Sequence, residues 1–273
     1  MATKKAGTTA KKTTRSKSQP AKANVTTVKA VETNRAASSG RFGLSDRRTV
    51  LAAALIGEFI GTFLLTCAFL VTKGEPLYMG FVLVTLVLMV GTLSGAYLNP
   101  MLTVGAWVTR KVGHLRAVTY IVAQLLGAGA AFVVLSAFIG ANGDTSSASA
   151  LGQQSPELFK LAVLTEKNHW FVFFAELLGT SVFAFAVAGA LREKTDRVAK
   201  AFGVGFGLFV GGLVAGVAAS YVAANVALNP AIALAASAVD WGKIDWFAVV
   251  AYLVAPLLGG IIGFALRDVV ETK

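Results

Sequence analysis

Uncharged apolar stretches of about twenty residues recur along this chain from Thr49 onward, and no other feature limits its fold so severely. In a bilayer every backbone N–H and C=O must be satisfied internally, so only helices or closed barrels can span it. These runs are too long and too continuous for the alternating strands of a barrel. A soluble core could not absorb them either: 55% of the residues are hydrophobic and 14% are charged, against roughly 25% charged in an ordinary soluble domain. Full spans are predicted at about 50–72, 77–96, 115–139, 169–191, 198–221 and 246–267. Two shorter apolar stretches, about 99–109 and 229–239, each open with Asn-Pro and are too short to cross, so they read as re-entrant half-helices. The expected fold class is an all-α membrane protein with six transmembrane helices plus two half-helices.

Charge then orients the spans. The net charge is +11, but twelve of the 25 Lys and Arg residues precede Thr49. That segment, residues 1–48, is rich in Ala, Thr, Ser and Lys and poor in bulky apolar residues, the composition of a disordered basic tail. Its place just before a span favours attraction to anionic lipid headgroups or control of topology over nucleic-acid binding, and no nucleic-acid partner is expected. Arg110, Lys111 and Arg116, then Arg192, Lys194, Arg197 and Lys200, then Arg267 and Lys273 fall on the same side as the tail. Lys73, Lys160, Lys167 and Lys243 fall on the other. By the positive-inside rule this is a multi-pass protein of the cell membrane with both termini cytoplasmic. Cys67 is the only cysteine, so no intramolecular disulfide forms, and it reads as a small buried hydrophobe.

The two halves match in order. Gly57-Glu58-Phe59-Ile60-Gly61-Thr62 aligns with Ala175-Glu176-Leu177-Leu178-Gly179-Thr180, and Leu98-Asn99-Pro100-Met101 with Leu228-Asn229-Pro230-Ala231. Tyr120-Ile121-Val122-Ala123-Gln124-Leu125-Leu126-Gly127 aligns with Tyr252-Leu253-Val254-Ala255-Pro256-Leu257-Leu258-Gly259. Each copy holds three spans, an odd number, so the second enters the membrane from the opposite face. The result is an inverted repeat with its site near the midplane. The expected organisation is a first repeat over 49–139, a connecting extracytoplasmic loop over 140–168 and a second repeat over 169–273.

Asn is a strong N-cap and Pro suits the first helical position, so each Asn-Pro starts a helix with the Asn oxygen capping free backbone N–H groups. The side-chain NH2 is then left to donate to a passing oxygen. Two half-helix N-termini meeting at mid-membrane each bring about half a positive charge, a barrier to protons and cations.

Ser94-Gly95-Ala96-Tyr97-Leu98-Asn99-Pro100 and Leu228-Asn229-Pro230-Ala231 resemble the paired Asn-Pro-Ala boxes of the aquaporin or major intrinsic protein family, over about residues 50–267. The resemblance implies a pore in each protomer, a homotetramer in the lipid bilayer, and Glu58 and Glu176 accepting hydrogen bonds from the pore-loop backbone. An intramembrane carboxyl is expected to face the interior and find a partner in any case. The chain departs from the pattern in its first box, where Met101 replaces alanine, and directly after the second, where Ile232 stands in the place of the family's usual arginine. Spacing carries the remaining constriction positions onto Met79, which precedes Gly80 in the second span, onto Val226, and onto Val217, with Val214 or Gly216 open as alternatives for the last. A filter of Met79, Val217, Val226 and Ile232 has neither charge nor side-chain donor.

These residues point to passive permeation of small neutral molecules: water, polyols such as glycerol, urea, ammonia or dissolved gases. A secondary transporter also uses broken helices and inverted repeats, but coupling needs a titratable group at the site, and this constriction has none. A scaffold whose pore is closed by its own apolar ring is a third reading. His114 and His169 lie far apart in edge loops, so no metal site is expected. Trp107, Trp170, Trp241, Trp246 and Tyr78 sit near span ends as interfacial residues. No nucleotide-binding loop or catalytic triad occurs, so neither an enzyme nor a cofactor is expected.

Overall fold

A computed structural model describes residues 44–141, 157–239, 242 and 244–271, with side chains from residue 48 onward. Its elements are α1 (Leu44–Thr72), α2 (Pro76–Ser94), α3 (Pro100–Val108), α4 (His114–Gly140), α5 (His169–Ala190), α6 (Arg197–Ser220), α7 (Pro230–Ala235) and α8 (Trp246–Glu271). Six of them are long and apolar enough to cross a membrane, while α3 and α7 have 9 and 6 residues. The first helix starts at Leu44, inside the segment assigned to the tail. The rest of that tail, most of the 140–168 loop, Trp241 and Lys243 lie outside the described residues.

Both half-helices end alike. In α3 the N–H of Lys111 bonds to Ala106 O (2.7 Å) and that of Arg110 to Trp107 O (3.0 Å), with Arg110 at φ 62°. In α7, Ala238 N bonds to Ala233 O (2.9 Å) and Ser237 N to Leu234 O (3.2 Å), with Ser237 at φ 58°. Each is a Schellman closure built on a non-glycine residue in the left-handed region. In α7 it closes earlier than the apolar stretch to 239 suggested, because hydrophobicity continues past the turn.

The last span also differs from a plain helix. Val250–Val254 form a π turn within α8, ending two residues before Pro256. Proline has no N–H to give the carbonyl four residues back, and its ring crowds that carbonyl, so the ladder widens by one residue.

The packing mirrors the internal repeat. Helix α1 packs on α2 and α4, and α5 packs correspondingly on α6 and α8. The half-helices cross over: α3 lies against α8 and α7 against α4, so each seats on the last span of the other half. Small residues allow this approach. A Cβ added at Gly105 would come within 2.7 Å of Gly260 O, and Ala231 and Ala235 cluster with Ala128 on the opposite side. Lys111, Arg192 and Asp268 meet at one end of the bundle (Lys111 Nζ–Asp268 2.6 Å, Arg192–Asp268 3.0 Å), with Arg192 and Arg267 also paired to Glu271. These half-exposed pairs contribute little stability but gather the loop after α3 and the ends of α5 and α8 at a common end.

Candidate functional site

Two short loops, each just before an Asn-Pro, form the centre of the molecule. Leu98 (φ 51°) and Leu228 (φ 52°) both occupy the left-handed region, which costs a residue with a side chain about 1–3 kcal/mol. Matching contacts hold each in place. The Glu58 carboxyl, with no exposed surface, accepts from Tyr97 N (3.0 Å) and Leu98 N (2.7 Å). Glu176, equally buried, accepts from Ala227 N (2.6 Å) and Leu228 N (3.0 Å). One helical turn beyond each glutamate a glycine makes room for the leucine: an added Cβ at Gly61 would collide with Leu98, and at Gly179 it would come within 2.9 Å of Leu228 Cδ2. The bent loops are thus determined by a carboxyl below and a glycine beside them.

The asparagines cap as the sequence predicts. Asn99 Oδ1 accepts from Met101 N (2.9 Å), and Asn229 Oδ1 from Ala231 N (3.0 Å) and Ile232 N (3.5 Å). Their amides are not left wholly free, however. Asn99 Nδ2 donates to Leu228 O (2.8 Å) and Asn229 Nδ2 to Leu98 O (3.0 Å), so each stitches its loop to the opposite half. A buried carbonyl in a left-handed turn needs a donor, and the facing amide is the nearest one. Each NH2 keeps its second N–H, which has no other partner among the described residues, and both asparagines line the cavity described next.

A cavity of about 380 Å³ runs from Lys73 and Glu75 at its mouth inward to Asn99 and Asn229. Met79, Val217, Val226 and Ile232 all line it, as does Gly216, where an added Cβ would meet open space; Val214 does not. Ile232 is only 1% exposed and Met79 4%, whereas Val217 is 48% exposed. Thr72 Oγ1, which donates to Ala68 O (2.8 Å), lies 3.7 Å from the Met79 sulfur. Met101 is absent from the wall. It is fully buried, and an added Cβ on Gly260 would lie 2.7 Å from its Cγ and 2.8 Å from its Sδ. The pairs Met101–Gly260 and Ala231–Ala128 occupy matching positions in the two halves, so the larger side chain at 101 is balanced by the smaller one facing it.

Two residues without an assigned role in the sequence belong to the site. Gln124 Nε2 donates to Glu58 Oε2 (2.7 Å) and to Thr103 Oγ1 (2.9 Å), a fully buried network. The matching position in the second half is Pro256, and among the described residues Glu176 has only its two backbone donors. A lone amide inside an apolar span was the available signal for Gln124. Asn225 lines the cavity and accepts from Ala162 N (2.9 Å), a partner 63 residues away that no local sequence signal indicates.

The remaining candidates lie elsewhere. His114 accepts from Trp107 Nε1 (2.7 Å), and His169 stacks on Phe247 with ring centres 4.0 Å apart. Among the described residues no three His, Cys, Asp or Glu side chains come together. Trp170, Trp246 and Tyr78 are exposed, whereas Trp107 is half-buried; so is Cys67, which is less enclosed than a core hydrophobe.

A sequence model of the family described as Major intrinsic protein matches residues 47–266. The chain is similar to Aquaporin-B of Dictyostelium discoideum, 30% identical over 174 residues that cover 58% of this chain and 56% of that protein. It is 28% identical to Aquaporin Z of Photorhabdus laumondii over 165 residues, 55% of this chain and 66% of that one. It thus spans between about half and two-thirds of the length of these curated relatives. Among solved structures it shares a fold with the aquaglyceroporin from Plasmodium falciparum, with a TM-score of 0.59 at 20% identity, covering 81% of this chain and 97% of that chain.

Proposed function

Since the chain belongs to the major intrinsic protein family, we propose that it is a passive channel for small neutral solutes, with its pore along the cavity that ends on Asn99 and Asn229. Met79, Val217, Val226 and Ile232 form the constriction, and Glu58 and Glu176 hold the two pore loops. The observation that carries this reading is Ile232. It stands in the cavity wall three residues past Asn229, buried to 1%, where the family resemblance places an arginine. An isoleucine there brings no charge and no donor, so a permeant must shed water against apolar surface. That favours less polar solutes, glycerol, urea or ammonia, over water and leaves the exclusion of cations to the half-helix dipoles and to desolvation. The two halves, 49–139 and 169–273, work as an inverted pair joined by the 140–168 loop. The protein works as a homotetramer in the cell membrane with both termini cytoplasmic, and catalyses no reaction.

Stopped-flow light scattering on proteoliposomes, with water, glycerol, urea and ammonia as permeants, tests this. Solute flux is expected in the native protein, and Ile232→Arg should reduce passage of the larger solutes. Fast water flux with no solute flux in the native protein would sink the solute reading. A saturable flux driven by a pH gradient would turn it into transport.

A further inference from the structure

The constriction has lost the donor that an arginine would supply, yet the cavity still holds a neutral side-chain amide fixed in one orientation. Asn225 directly precedes Val226 and lines the same wall. Its Oδ1 is taken by the N–H of Ala162, 2.9 Å away on the segment leading to α5. That segment is itself pinned, since Leu161 N donates to Ala236 O (2.9 Å) at the end of α7. The backbone carbonyl of Asn225 accepts from Tyr252 Oη (3.1 Å) on α8. Because a backbone N–H can only donate, the end of the amide facing Ala162 must be the oxygen, and the other end must be NH2. That Nδ2 has no partner among the described residues. The other polar side chains at this level offer less: Ser220 Oγ donates its proton to Val217 O (2.8 Å), and Lys73 is an exposed ammonium whose strong hydration makes it a poor partner for a neutral solute.

We propose that Asn225 is a specificity-determining residue of the pore, its Nδ2 donating to a permeant oxygen while the rest of that permeant lies on Val226, Ile232 and Met79. The inference rests on the channel reading above and sharpens its substrate class to small neutral solutes that pair one accepting oxygen with apolar surface.

Asn225→Asp separates this role from a merely structural one, because the carboxylate still accepts from Ala162 but offers no donor to the lumen. Asn225→Leu removes both. Purified full-length protein in proteoliposomes is assayed for glycerol and urea flux. At about pH 7.5 the aspartate variant should lose about fivefold relative to native protein. Lowering the pH to about 3, well below the ordinary aspartate value of about 3.9, should restore most of it, because the protonated carboxyl regains an O–H donor. Each value is read against native vesicles at the same pH, since Lys73 and Glu75 line the cavity in both proteins. If the aspartate variant matches native protein at every pH while the leucine variant fails, Asn225 only staples the loop and the inference is overturned. Loss without recovery at low pH marks a damaged loop and overturns it equally. Absence of glycerol and urea flux in the native protein refutes the channel reading instead, and the donor role falls with it.

Discussion

Removing the two buried glutamates one at a time should cost different amounts, because they carry different numbers of donors. Glu58→Ala strands three fixed donors: the N–H groups of Tyr97 and Leu98 and one N–H of the Gln124 amide; the Ser94 hydroxyl, which also bonds the carboxyl, can rotate to a backbone carbonyl of its own helix. Glu176→Ala strands two, Ala227 N and Leu228 N. A buried donor without an acceptor costs about 1–3 kcal/mol, and the cavity left by the lost side chain is similar in both variants. Glu58→Ala should therefore be the more destabilising by about 1–3 kcal/mol, the cost of one stranded donor. Reversible unfolding in mixed detergent micelles, followed by tryptophan fluorescence, measures the difference. A cycle with Gln124→Leu identifies its source. In the native background that substitution gives up two bonds, whereas in the Glu58→Ala background it removes the stranded amide. The coupling between the two sites should exceed about 1 kcal/mol. Equal losses for the two alanine variants, or simple additivity of Glu58→Ala with Gln124→Leu, would refute the donor count as the reason for the asymmetry.

Two further predictions concern packing and pH. Gly260→Ala would put a Cβ 2.5 Å from Met101 O and under 3 Å from the Met101 side chain, so it should destabilise the protein by about 1–3 kcal/mol. Added to Met101→Ala it should cost less than the sum, because two of its three nearest clashes vanish; the same unfolding assay reads this. In the loop between α5 and α6, Glu193 accepts from Thr195 Oγ1 (2.6 Å), Thr195 N (2.8 Å) and Asp196 N (3.0 Å), and these bonds, the hydroxyl's first, pull its carboxyl down to about 2. A depressed carboxyl protects the folded loop above its ordinary value of 4.5, and the protection is lost as pH falls toward about 2. Hydrogen-exchange protection at Thr195 and Asp196 should accordingly disappear in Glu193→Ala at neutral pH.

The sequence was most legible where a polar group had to be satisfied inside an apolar span. Glu58, Glu176 and the two Asn-Pro turns announce a partner by the cost of having none, so the spans, the caps and the half-helices follow from residues read locally. Which partner answers is a matter of the fold. Nothing near Asn99 says that its amide will meet Leu228 O, and nothing near Asn225 points to Ala162, because in each case the partner lies far along the chain. Apolar departures are harder to read, since an apolar side chain demands no particular neighbour. Met101 and Ile232 both stand near the start of a half-helix, two and three residues past its capping asparagine, and neither carries a signal of where it faces. Three residues past the cap, Ile232 lies along the cavity wall. Two residues past it, Met101 turns to the outer face, where Gly260 leaves the space it needs. Helical rotation, 100° per residue, separates the two outcomes. Under the proposed channel reading the consequence is direct: the altered first box is absorbed by packing between α3 and α8, and Ile232, which lines the same cavity as Asn225, is the departure left to act on a permeant.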